Sequence, residues 1–86
     1  MYITPENSIE ELTYECPRGI YIRVHRYCSM WYYDVLEYKG AYWEVGDERL
    51  PDYEKIETFH DHKLPAKYKD ATIIFDEFQE YPTFGD

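Results

Sequence analysis

Three short stretches bring together side chains able to do acid–base or metal chemistry. His60-Asp61-His62 sets two imidazoles two residues apart. In a strand those rings share one face, and neutral imidazole is a good zinc ligand. A closed site needs further ligands, and no other residue stands at a telling spacing. A solvated segment is the expectation, with no metal. His25 lies between Arg23 and Arg26, where it reads as lining a sheet surface rather than as a base. Asp76 and Glu77 are adjacent, so on a strand they face opposite sides and make no ready acid–base pair. Cys16 and Cys28 form no Cys-x-x-Cys motif and are expected as free thiols. The chain has no nucleophile elbow, Walker loop or dinucleotide fingerprint. The expectation is a protein that is not an enzyme and holds no cofactor.

The elements that would position these groups are organised around residues 20–45. Aromatic and β-branched side chains crowd there and suit a pleated, half-buried surface. Ile20, Ile22 and Val24 alternate with Tyr21, Arg23 and His25, the period of a strand. Met30 to Tyr38 reads as a second strand. Lys39-Gly40 reads as a two-residue hairpin loop, since Gly accepts the positive φ of such turns. Ala41 to Val45 would then be a third strand, with Leu36 opposite Trp43. That register puts Tyr32, Leu36, Trp43 and Val45 on a core face and Trp31, Tyr33, Val35 and Tyr42 on the other. A bulge near Cys28-Ser29 would change the register.

Elsewhere the signals are shorter. Thr4-Pro5-Glu6 and the Ser8/Glu11 capping box, with Ile9, Leu12 and Cys16 at helical spacing, predict a short helix within 5–15. Residues 46–52 read as a charged loop. Residues 53–62 fit a strand somewhat better than a helix. Leu64 to Lys69 reads as a helical turn after a Pro start, and residues 72–78 as a strand. The expected fold is α+β: one domain over 1–86, an antiparallel sheet (meander 20–45 plus strand 72–78) with one or two short helices.

Eighty-six residues suit one core. An aromatic fraction of 20% argues against a disordered chain. No apolar run approaches the roughly 20 residues of a membrane span, and no secretion signal is visible, so the expected location is the cytoplasm. There are 18 acidic residues against nine basic ones, a formal net charge of −9. Direct binding to a phosphate backbone needs clustered cations, so direct nucleic-acid and membrane partners are not expected. A basic partner is favoured, because opposite charge speeds association.

Two features place the partner surface. The chain carries 11 tyrosines, and Tyr offers large, rigid contact area with a polar tip. The acids are also uneven. Residues 34–61 hold nine acids and three Lys or Arg, and residues 70–86 hold five acids and none. The expected surface therefore joins Asp47, Glu48, Asp52, Glu54, Asp76, Glu77 and Glu80 to anchors from Tyr33, Tyr42, Tyr53 and Tyr81. Carboxylates set where DNA sets phosphates can occupy a basic channel and block it. This composition is similar in style to phage-encoded inhibitors of bacterial defence, anti-CRISPR proteins included, which would place the protein in a host cytoplasm. The leading expectation is an acidic, Tyr-rich protein-binding inhibitor acting as a DNA mimic on a nucleic-acid-binding protein, as monomer or dimer. Two alternatives stand beside it: a structural or regulatory interaction module of immunity or assembly type, and a nucleotide or single-strand binder stacking bases on Tyr21, Arg23 and His25.

Overall fold

The computed structural model describes residues 8–60, 63–75 and 82–85. Its framework is a five-stranded mixed sheet in the order β1-β6-β2-β3-β4, built from β1 (Ser8–Ile9), β2 (Gly19–Tyr27), β3 (Met30–Val45), β4 (Glu48–His60) and β6 (Thr72–Phe75). A small parallel pair, β5 (Leu64–Pro65) with β7 (Phe84–Gly85), lies beside it. The meander β2-β3-β4 is antiparallel, as expected. The strand beginning at Thr72 is also present, but it runs parallel to both β1 and β2. The sheet is therefore mixed, not antiparallel. Sequence period reports which residues are buried, not the direction of the neighbouring strand.

The helical expectations need a larger correction. Among the described residues there is no α-helix, only a 3-10 turn over Ala66–Tyr68 that follows Pro65. Residues 10–18 form turns and bends, including a Cys16 N–H bond to the Thr13 carbonyl at 3.1 Å. Ile9 is instead engaged in the parallel pairing with β6. The spacing of Ile9, Leu12 and Cys16 did identify an inward side: all three pack on one core cluster. A turn-rich loop delivers them there in place of a helix.

The hairpin also differs from its expected form. Lys39-Gly40 is not a turn, because β3 runs unbroken through it to Val45. Tyr38 pairs with Tyr53 and Tyr42 with Pro51, so three residues of β3 face one of β4. Gly40 supplies a positive φ of +92°, spent on this irregularity rather than on a reversal. The chain reverses at Gly46-Asp47, with Gly46 at φ +61° and Val45 paired to Glu48. Cys28-Ser29, where a bulge would have changed the register, is the two-residue turn between β2 and β3, with φ values of +50° and +66°. Residues 46–52, expected as a loop, are mostly strand, and so is the described part of 53–62.

Both sheet faces are covered at the centre. On the front face Ile22, Val24, Tyr33, Val35 and Ile73 meet Leu64 and Ala71, with Tyr68 and Phe84 packed alongside. On the back face Tyr21, Leu36, Tyr38 and Ile74 meet Leu12. Ile73 and Ile74 are consecutive and both buried, as a central strand covered on two sides requires. Leu36 belongs to the back cluster and Tyr33 and Val35 to the front one. The expected split of Leu36 from Tyr33 and Val35 therefore holds, but both sides are core rather than one, and Trp43 and Val45 are exposed instead of buried.

Candidate functional site

Beyond the covered centre, β3 and β4 continue as a two-stranded arm. Every residue from Lys39 to Leu50 is exposed. The pairs are Tyr42 with Pro51, Trp43 with Leu50, Glu44 with Arg49 and Val45 with Glu48. Strand alternation fixes the two sides of this arm. Tyr53 packs in the back cluster opposite Tyr38. Along β4, Pro51 and Arg49 therefore share the back, while Glu54, Asp52, Leu50 and Glu48 take the front. Trp43 and Val45 join the front through their pairing with Leu50 and Glu48.

The back of the arm is fastened. Arg49 lies over the Tyr14 and Tyr42 rings, each with its centroid 5.4 Å away, and reaches Glu44 at 3.6 Å. The two rings are themselves 5.4 Å apart. Tyr14 is held in turn by its carbonyl, which accepts from the Tyr38 hydroxyl at 2.8 Å. The front of the arm is open: Trp43 is 62% exposed, Val45 56% and Leu50 46%.

Several cations are engaged within the fold. Arg23 donates to the Tyr53 hydroxyl at 2.8 Å and sits over that ring, while Arg26 sits over Trp31. Lys67 lies over Tyr68, and Lys39 reaches Glu37 at 3.6 Å. Among the described residues Asp47, Glu48, Asp52 and Glu54 have no ion-pair partner. All four are exposed on the arm or its base, so their field points outward.

The expected anchors fare differently. Tyr33 is 8% exposed and part of the front core, so it is not available to a partner. Tyr53 is half-buried and committed to Arg23. Tyr42 is exposed but rests against Tyr14 and Arg49. Asp76, Glu77, Glu80 and Tyr81 lie outside the described residues. The large open apolar residues at the end of the arm are Trp43 and Val45, which the expected register sends to the core, and Leu50, which falls in the expected loop. Glycine in a long aromatic run signals a turn and a bulge alike, so nothing local separated the two.

A second cluster lies on the back face. His25 Nε2 is 3.1 Å from Asp34 Oδ2, and the Thr58 hydroxyl donates to Asp34 Oδ1 at 2.8 Å. The His25 ring stacks on Tyr32, and the His60 ring tilts against the same Tyr32 ring at 5.7 Å. A carboxylate that orients an imidazole resembles half of a catalytic relay. Thr58, however, sits on the carboxylate and not on the imidazole, so its hydroxyl is no nucleophile for His25. Tyr21 is buried, its phenol donating to the Pro17 carbonyl. Arg23 on the same face donates to the Tyr53 hydroxyl. No group of three potential metal ligands occurs among the described residues, while Asp61 and His62 lie outside them.

Comparison with protein-family models, with curated proteins and with solved structures gave no match.

Proposed function

We propose that this protein is an acidic protein-binding inhibitor that occupies a basic, nucleic-acid-binding surface of its partner. One observation carries the reading: an exposed two-stranded arm bears Asp47, Glu48, Asp52 and Glu54 with no cation paired to them among the described residues. Its one arginine, Arg49, is turned to the back and engaged there. Carboxylates displayed this way attract the same cationic grooves that attract phosphates. The formal charge of −9 supports the same sign of partner over the whole molecule.

The experiment is capture from a bacterial lysate on immobilised protein, followed by elution with duplex DNA. The expected result is a nucleic-acid-binding protein that DNA releases. It should be lost when Glu48, Asp52 and Glu54 are reversed to Lys. Captured proteins indifferent both to DNA and to the reversal would favour an interaction module of another kind.

A further inference from the structure

The front of the arm is not uniformly acidic. Trp43 and Leu50 are cross-strand partners, and Val45 lies two residues beyond Trp43 on the same side. Strand alternation sets Glu48, Asp52 and Glu54 on that side too. An apolar centre flanked along β4 by carboxylates is not what a phosphate backbone presents. It has the anatomy of a protein interface, with a desolvated anchor inside a polar rim.

We propose that the front of the β3–β4 arm, centred on Trp43 and Leu50, docks a protein surface whose own centre is apolar and whose rim is Lys- or Arg-rich. The inference rests on the inhibitory reading above and specifies how the arm holds its partner. Charge selects the occupant. A second copy of this chain would set Glu48, Asp52 and Glu54 against the same carboxylates, which opposes pairing. Nucleic acid meets the same repulsion. A cationic rim satisfies the carboxylates, while the apolar centre buries the indole, the largest open side chain on the arm. The fastening of the back face by Arg49, Tyr14 and Tyr42 presents this front without a large ordering cost at binding. Affinity then has two parts: a steering part that salt removes and an apolar part that salt leaves.

The test uses two synthetic peptides of equal positive charge, one an amphipathic lysine–leucine helix and the other polylysine. Trp31→Phe leaves Trp43 as the single indole reporter. The expected result is a blue shift of Trp43 emission with the amphipathic peptide and affinity at least roughly tenfold tighter than for polylysine, a difference of about 1.4 kcal/mol. Leu50→Ser and Val45→Ser, both on exposed positions, should erase that preference and leave the weak polylysine binding. Equal binding of the two peptides would overturn the apolar anchor while leaving the electrostatic reading standing. Binding of neither would remove both. In sedimentation the free protein should be monomeric, and a dimer dispersed by Leu50→Ser would assign the face to a second copy instead.

Discussion

Asp34 and His25 meet diagonally across β2 and β3, with Oδ2 and Nε2 3.1 Å apart. Asp34 is 8% exposed, and its other carboxylate oxygen accepts from Thr58 on β4 at 2.8 Å. One buried acid thereby ties three strands on the back face. Asp34→Ala should cost about 1–3 kcal/mol, because it removes two hydrogen bonds to a buried carboxylate. In chemical denaturation Asp34→Ala and Thr58→Val should be non-additive by at least about 0.5 kcal/mol. Strict additivity would mean that Thr58 does not share the carboxylate.

Gly40 holds φ at +92°, and a Cβ there would lie 2.7 Å from Arg18 Nε. Arg18 is exposed and can move aside, but the backbone conformation remains unfavourable for an L side chain. Gly40→Ala should therefore destabilise by about 1–3 kcal/mol. It should also shift amide resonances at 38–42. An unchanged melting temperature would place Gly40 in ordinary extended backbone.

Tyr21 should titrate above its ordinary value of 10.0. Burial of the phenol raises it most, with the neighbouring Cys16 and Tyr38 acting in the same direction. A raised folded-state value means the neutral phenol is preferred in the fold. Stability is then fully retained below the unfolded value and lost as pH rises through the folded one. Carbon-13 labelling of the tyrosine Cζ should follow this directly, and Tyr21→Phe should remove its share of the alkaline loss. Titration at or below 10.0 would contradict the buried placement.

Arg49→Ala should loosen the arm without unfolding the sheet. Cation–π contacts at exposed positions are worth about 0.5–1 kcal/mol, so global stability should fall by about that much. Hydrogen exchange should quicken at 42–51 and stay unchanged at 21–24. Equal exchange in both forms would show that the Tyr14–Tyr42–Arg49 stack does not hold the arm.

Much of this architecture was legible because strand periodicity is local. Ile20, Ile22 and Val24 alternate correctly, and the strand beginning at Thr72 and the turn after Pro65 lie where their signals put them. What failed depends on distant partners. Gly40 reads as a turn until Tyr38 is seen paired to Tyr53. Ile9, Leu12 and Cys16 read as a helical stripe although a turn-rich loop brings them to the same cluster. For the site, Asp47, Glu48, Asp52 and Glu54 were visible as acids and are exposed. The tyrosines were less legible, because Tyr33 fills the front core and Tyr53 holds Arg23. Trp43 was missed because its exposure follows from where the hairpin turns, sixteen residues along β3 rather than nine.

The proposed function requires that arm carboxylates steer this protein to a basic partner. Its most direct measurement is the association rate with the DNA-releasable partner, taken across a range of salt for wild type and for the Glu48→Lys, Asp52→Lys, Glu54→Lys variant. The wild-type rate should fall steeply with salt. The variant should be at least roughly tenfold slower at low salt, with its salt dependence flattened. Rates that ignore both salt and the triple reversal would contradict the claim.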